Sequence, residues 1–196
     1  MSRSNVAAPD ETGPVAPTTA QSRIITAALD LFSKHGVGGT SLQMIADQIG
    51  VTKAAVYHQY RTKDEIVLAA AEAELARLQA VVDAAETERS AKRARDALVA
   101  GIVDLAVKRR RTVGSILSDP VIAGFFAEHD TFREVMHSAR RVLTGDDTSP
   151  EAGLRTAMLF AAISGAVMHP FVVYIDDDTL RHELLRLARR FLGLPG

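Results

Sequence analysis

The chain has 196 residues, of which 47% are apolar, and a formal net charge of −1. This length suits one compact helical protein, or a small head joined to a larger body. The balanced charge excludes a protein that attracts nucleic acid over its whole surface, so any DNA binding must come from a local patch. The absence of cysteine excludes disulfide frameworks, thiolate metal sites and cysteine nucleophiles, and it fits a reducing cytosol.

Residues 1–20 contain three prolines among small and polar residues and lack the apolar region of a signal peptide. We expect a disordered arm there. The one segment that invites a membrane interpretation is residues 158–175, where 18 positions carry no formal charge. It contains Ser164, His169 and Pro170, and three aspartates follow it. A buried helix of a cytoplasmic protein therefore explains the segment better than a membrane span.

Helical periodicity runs along almost the whole chain beyond the arm, and strand signals are scarce. We therefore predict an all-α fold of about nine helices. The first predicted helix covers residues 21–35 and is expected to end at Gly36 in a left-handed C-cap. The second is expected to begin at Thr40, which has capping-box spacing to Gln43, and to end at Gly50.

The third predicted helix runs from Thr52 to about Gln59, and the fourth runs from a second capping box, Thr62 and Glu65, to about Ala85. Because the fourth helix is long, it is expected to begin in one unit and end in the next. The remaining helices are predicted at about 91–109, 112–127, 130–144, 150–174 and 178–192. We divide the chain into the arm (1–20), a head (21–66) and a body (67–196).

Two short helices joined by a tight turn at Gly50 are typical of a helix-turn-helix, whose second helix enters the major groove of DNA with its N-terminus. Val51, Val56 and Tyr60 are predicted to face the core of the head. The residues left to face outward are Thr52, Lys53, Ala54, Ala55, Tyr57, His58 and Gln59. Between Val51 and Lys63 the charged residues are Lys53, Arg61 and Lys63, with no acid among them.

Lys63 stands in the first turn of a predicted helix, where a cation opposes the helix dipole. A docked phosphate would explain this placement, because helix N-termini and lysines both favour phosphate. An exposed lysine screened by Asp64 and Glu65 is the alternative. The basic helix just before it makes phosphate contact the preferred interpretation.

Over about 45 residues this segment resembles the TetR family of repressors. The matching residues are Arg23, Ile24, Ile25, Phe32, Gly36, Thr40, Ile45, Ala46, Gly50, Val51, Thr52, Lys53, Val56, Tyr57, Tyr60 and Lys63. The resemblance implies a three-helix DNA-binding head, a ligand-binding body and a homodimer that binds a palindromic operator.

By the same resemblance, Thr40 and Ser41 contact phosphates at the start of the second helix. Tyr57 and Lys63 clamp the DNA backbone, and Lys53 contacts phosphate or guanine.

The resemblance also implies which residues read bases. Gln43, Ala54 and Ala55 stand where base edges can be read. The amide of Gln43 can bind adenine through two hydrogen bonds, whereas the alanines offer only methyl contacts to thymine. Gln59 stands where the family often has histidine and can still donate to a phosphate, while His58 is more simply a solvated surface residue.

The last two predicted helices have apolar faces that suit a four-helix dimer interface, as the resemblance also implies. The residues concerned are Leu154, Met158, Ala161, Ala162, Gly165, Leu180, Leu184, Leu187 and Phe191. The alternative is that these faces only seal the core of one chain. We favour the dimer, because symmetric oligomers are common and one head reads few base pairs.

A hydrophobic effector is the expected ligand of the body, because soft apolar residues cluster in its helices. The candidates are Ile116, Leu117, Phe125, Phe126, Met136, Phe160 and Met168, and each of them also suits a plain core. The basic run at residues 108–111 either meets a phosphate-bearing ligand, such as an acyl-CoA, or is a solvated helix end.

Enzyme motifs are missing from the sequence: we find no glycine-rich phosphate loop, no H-E-x-x-H and no G-x-S-x-G. The histidines are too scattered to predict a metal site, and no cofactor is expected. The competing hypothesis is a helix-turn-helix used for protein interaction or non-specific DNA binding, without an effector. The outward Gln43 and Tyr57 beside basic residues favour docking in a DNA groove.

Overall fold

The computed structural model describes residues 17–110 and 129–194. Within these two ranges the regular structure is helical, which confirms the predicted all-α fold. The helices are α1 Thr19–Gly39, α2 Leu42–Ile49, α3 Lys53–Gln59, α4 Lys63–Glu86, α5 Ala91–Lys108, α6 Asp130–Thr144, α7 Pro150–Ala166, a 3₁₀ turn Pro170–Val172 and α8 Asp177–Phe191. The helix predicted at 112–127 and most of the predicted arm lie outside the described residues.

The first helix begins earlier than predicted, because Thr18 and Gln21 form a capping box. The Gln21 amide donates to Thr18 Oγ1 at 3.2 Å, and the Thr18 amide donates to Gln21 Oε1 at 2.9 Å. The helix is interrupted at Gly36, whose φ of +71° is the left-handed region that favours glycine. The predicted break at Gly36 is confirmed, although one more helical turn follows it.

The predicted N-cap of α2 is wrong by one residue. Ser41 is the cap, since its hydroxyl accepts from the Met44 amide at 3.2 Å. Thr40 is only 3% exposed, and its hydroxyl donates to the Gly36 carbonyl at 2.9 Å. Thr40 therefore closes the end of α1, and no capping box with Gln43 forms. The predicted end of α2 at Gly50 is confirmed, with a left-handed φ of 71° and ψ of 39°.

Two buried clusters share the helix α4. The first cluster forms the core of the head and includes Phe32, Ile45 and Val56, all without exposed surface. Further along α4, Leu75 and Val82 belong to the core of the body. Burying one such side chain contributes about 1.5–3 kcal/mol. One continuous helix is thus fixed at both ends by independent cores, which ties the position of the head to that of the body.

The body is organised around α5, which packs against α4, α6 and α8. Close approach to α4 requires Gly101, because an added Cβ would lie 2.5 Å from Val81 Cγ1. Arg189 of α8 binds Asp96 of α5 through two hydrogen bonds of 2.7 and 3.0 Å. This bidentate pair fixes the last helix against the centre of the body.

The predicted helix at residues 150–174 is wrong in length, because α7 ends at Ala166. Proline lacks an amide donor and disfavours a helical residue before it. His169 is accordingly extended, at φ −69° and ψ 138°, and its ring Nδ1 accepts from the Phe171 amide. The uncharged segment is therefore not one helix. Throughout the described ranges, every helix is too short or too polar to cross a membrane.

Candidate nucleic-acid interface

The predicted recognition helix, α3, is seven residues long and sharply bounded. Thr52 is its N-cap, as predicted, and its hydroxyl accepts from the Ala55 amide at 3.2 Å. Val56 is fully buried, and Tyr60, just past the helix end, is buried as well. Burial raises the pKa of the Tyr60 phenol, with a smaller contribution from the charge of Glu72. Val56 and Tyr60 therefore fix the middle of α3 and the residue after its end to the head.

The opposite face of α3 points to solvent, as the sequence predicts. Tyr57 leaves 47% of its surface exposed. The other exposed residues are Thr52, Lys53, Ala54, Ala55 and His58, while Gln59 is half-buried. A short helix with a fixed inner face and a free outer face has the shape that a major groove accepts.

Positive charge without an acidic partner lies on and beside this face. Neither Lys53 nor Arg61 forms an ion pair with an acid in the described ranges. In the body, some cations are instead neutralised: Arg189 pairs with Asp96, and Arg181 pairs with Asp104. Cations left without acidic partners beside an exposed aromatic ring are available to phosphates.

Lys63 makes a contact that neither sequence-based interpretation foresaw. Its Nζ donates to the main-chain carbonyl of Val37, at the end of α1, at 2.7 Å. Carbonyls at a helix C-terminus lack helical partners and attract cations. The ammonium has three donors, so two remain for a phosphate. Lys63 therefore joins α1 to α4 and is half-buried, not a fully exposed side chain screened by Asp64 and Glu65.

The loop before α4 is fixed by its own side chains. Thr62 caps α4, with its hydroxyl accepting from the Glu65 amide at 3.1 Å. The predicted capping box is only half formed, because the Glu65 carboxylate accepts from the Arg61 amide at 2.7 Å and not from the Thr62 amide. The backbone of Arg61 is thereby held at the edge of the α3 face.

Of the three residues predicted to contact DNA at the start of α2, one is buried and two have exposed side chains. Thr40 is buried and bonded to Gly36, so its side chain is withdrawn from the surface and is not a phosphate contact. Ser41 and Gln43 are exposed. The Gln43 amide donates to Asp47 Oδ1 at 2.7 Å. Because a carboxylate only accepts, this contact turns the Gln43 nitrogen toward Asp47 and the oxygen away from it.

Sequence reasoning missed Asp47, although its i, i+4 spacing from Gln43 is a known signal for such a pair. It also missed the ties between α1 and α2. Arg23 donates to the Ile49 carbonyl at 3.0 Å. Gln48 donates to Asp30 at 2.8 Å. The pKa of the Asp30 carboxyl is lowered mainly by the hydrogen bond from Lys34 and, to a smaller extent, by the one from Gln48.

The predicted dimer face is exposed on α7 and only partly on α8. Leu154 and Met158 are 63% and 57% exposed. Also exposed are Ala161, Ala162, Gly165, Leu187 and Phe191. Leu180 and Leu184 are wrong as interface residues, because both are buried in the body of a single chain.

The predicted effector residues that the structure describes do not line one common cavity. Ile116, Leu117, Phe125 and Phe126 lie outside the described residues. Met136 lines a hollow of about 260 Å³ between α6 and α7, together with Phe132 and Ala157. Phe160 is half-buried against the body core, and Met168 is exposed beyond α7.

The basic run at residues 108–111 is compensated by acids of the same chain. Lys108 pairs with Asp104 at 2.7 Å, and Arg110 pairs with Asp177 at 2.8 Å. Arg109 binds the carboxylate of Glu74, and residue 111 lies outside the described ranges. The three described cations already have partners, which disfavours the phosphate-bearing ligand.

Comparison with known proteins finds relatives of the head. The profile described as bacterial regulatory proteins, tetR family, matches residues 24–70. The uncharacterized HTH-type transcriptional regulator YerO of Bacillus subtilis is 38% identical over 50 residues, which are 26% of this chain and 17% of YerO. The HTH-type transcriptional repressor AcnR of Corynebacterium glutamicum is 30% identical over 66 residues, or 34% of this chain and 35% of AcnR. The chain thus matches well under two thirds of the length of either relative.

Solved structures extend the likeness to the whole fold. A transcriptional regulator from Rhodococcus sp. RHA1 has a TM-score of 0.65 at 25% identity, covering 89% of this chain and 97% of its own. The TetR family regulator PfmR of Thermus thermophilus has a TM-score of 0.69 at 18% identity, covering 89% and 99%. The fold of this chain is therefore similar to that of solved TetR family regulators, and its residues 24–70 match the profile of that family.

Proposed function

We propose that this protein is a transcriptional repressor that binds operator DNA through α3 and releases it when a small ligand binds the body. The observation that carries the proposal is the outer face of α3 with the residues just after it, where Lys53, Tyr57 and Arg61 are exposed and neither cation pairs with an acid of the described ranges. Phosphate contacts supply most of the affinity of DNA-binding proteins, and base edges supply the specificity. Lys53 supports the first role, and Gln43 supports the second.

A homodimer is the form in which we expect the protein to act. The exposed small and apolar row on α7 and the exposed Leu187 and Phe191 on α8 offer a self-complementary surface. Two heads related by a two-fold axis read two half-sites about 34–36 Å apart, or one helical turn, along a palindrome. Each head alone reads too few base pairs to select one site.

The effector is proposed to be a small hydrophobic molecule bound in the body. The apolar side chains of Phe132, Met136 and Ala157 at the hollow between α6 and α7 support this class of ligand. The same hollow is also lined by Arg133, His137 and Arg140. SmeT, a protein of the same fold at 20% identity and a TM-score of 0.67, has been solved in complex with triclosan. Helix α4 belongs to both cores, so a ligand that shifts α4 would change the separation of the two heads.

The test of DNA binding compares fluorescence anisotropy titrations on the DNA upstream of the protein's own gene and on a scrambled duplex. The proposal predicts tight binding to the first and weak binding to the second. Lys53→Ala should weaken operator binding, whereas Lys92→Ala, an exposed cation of the body, should leave it unchanged. Equal affinity of the wild type for both duplexes would support the competing hypothesis of non-specific binding.

The test of ligand control uses crystal structures of the dimer with and without an effector that releases DNA. We expect the distance between the two α3 helices to differ by several ångströms, because successive major grooves accept only a narrow range of separations. An unchanged distance would discard the proposed movement of α4.

A further inference from the structure

Arg61 is a candidate DNA ligand that the family resemblance did not assign. Its guanidinium carbon lies 5.2 Å from the centroid of the Tyr57 ring, which is a cation–π arrangement. Both side chains are exposed, and no acid of the described ranges pairs with the guanidinium. An arginine stacked on an exposed tyrosine is thereby held in one place without its charge being neutralised.

The backbone beneath this pair is fixed from both sides. Tyr57 lies on α3, next to the buried Val56. The Arg61 amide donates to the Glu65 carboxylate at 2.7 Å, and Thr62 caps α4 directly after it. The anchors hold the two Cα positions, and the stacking restricts the guanidinium. Less conformational entropy is then lost when a ligand binds.

The chemistry of the pair fits a phosphodiester. A guanidinium presents five N–H donors in a planar fork, and the ring face beneath it uses none of them. The fork matches two oxygens of one phosphate, and the phenol hydroxyl of Tyr57 is a further donor at the ring edge. Lys53 and Tyr57 lie one helical turn apart on α3, and Arg61, stacked on Tyr57, extends the basic row beyond the end of the helix.

We propose that Arg61 and Tyr57 together form one binding site for a phosphate of the DNA backbone, at the edge of the groove that α3 enters. This inference rests on the proposed function. It assigns Arg61 a direct contact and gives Tyr57 a second role as the platform that orients the guanidinium. Such a contact strengthens binding to every DNA sequence and does not select bases.

The experiment measures operator affinity over a series of salt concentrations for the wild type, Arg61→Ala, Arg61→Lys and the control Arg93→Ala, an exposed arginine of the body. Arg61→Ala should weaken binding roughly tenfold. The slope of log K against log salt should become less negative by about 0.9 for each head. Arg61→Lys keeps the charge and loses the fork, so its slope should match the wild type while its affinity falls. Arg93→Ala should match the wild type in both.

A merely structural role for Arg61 would lower the melting temperature and leave the salt slope unchanged. Wild-type affinity and slope in Arg61→Ala, with Lys53→Ala still impaired, would overturn the Arg61 site and leave the proposed function intact. If neither substitution changes binding and the wild type does not distinguish operator from scrambled DNA, the proposed function itself fails.

Discussion

The ammonium of Lys63 donates to the carbonyl of Val37 at 2.7 Å, and this hydrogen bond joins the end of α1 to the start of α4. Thr40 closes the same end of α1 through the Gly36 carbonyl. The Val37 carbonyl also accepts from the Thr40 amide at 3.3 Å, so backbone and side chains together satisfy the carbonyls at this helix end. A residue expected to contact DNA is therefore also part of the structure that holds α1 and α4 together.

Replacing Lys63 should destabilise the head. We expect Lys63→Met to lower the free energy of unfolding by about 1 kcal/mol, because a charge-assisted hydrogen bond is lost at a half-buried site. Thermal denaturation measures this change. Lys53→Met is the matched control, since Lys53 is exposed and has no such contact in the described chain. Equal melting temperatures for the two variants would contradict the structural role of Lys63.

Stability should depend on the glycine at position 50, in the turn between α2 and α3, and not on the glycine at position 38, near the end of α1. Gly50 has a left-handed φ of 71°, so Gly50→Ala should cost about 1–2 kcal/mol of stability. Gly38 is not among the positive-φ glycines, and an added Cβ there meets no atom within 4 Å. Gly38→Ala should be neutral or slightly stabilising. Similar unfolding midpoints in urea for both variants would refute this account of the turn.

Local signals were enough to predict most of the head. The inward Val56 and the caps at Thr52 and Thr62 follow from hydrophobic spacing and capping rules within a few residues. The bond from Lys63 to Val37 could not be predicted in this way, because it joins positions 26 apart in the sequence. The same limit applies to Thr40, whose burial depends on how α1 ends.

In the body, burial was harder to predict than helical structure. Leu180 and Leu184 share an apolar face with Leu187, so the sequence alone could not tell which of them a single chain buries. Pro170 indicates that α7 must end before it, as α7 does at Ala166, but the apolar run around Pro170 suggested a longer helix.

Gln43 should select a base at one position of each half-site. Loss of its amide in Gln43→Ala should reduce the preference for the favoured base pair by about 1–3 kcal/mol and leave other positions unchanged. Affinities for all single-base variants of the operator would show this. Gln48→Ala serves as the control on the same helix, because the Gln48 side chain reaches Asp30 on α1 and is not among the residues expected to read bases. An unaltered base preference in Gln43→Ala would remove Gln43 from the set of base readers.

The exposed row on α7 should hold the dimer together. Ala161→Glu places a charge in the middle of that row and is expected to shift the protein from dimer to monomer, because a buried unpaired carboxylate is strongly disfavoured. Sedimentation equilibrium measures the mass. Ala80→Glu makes the same change at another exposed alanine, on α4, and should leave the dimer intact. A dimer of unchanged affinity in Ala161→Glu would place the interface elsewhere.

Selection of bound duplexes from a random DNA library tests the central claim most directly, because it asks whether α3 reads sequence in a symmetric pair of heads. We expect the wild-type protein to enrich one palindromic motif, and Tyr57→Ala to recover the same motif with weaker binding throughout. Failure of the folded wild-type protein to enrich any sequence would contradict operator recognition by this helix.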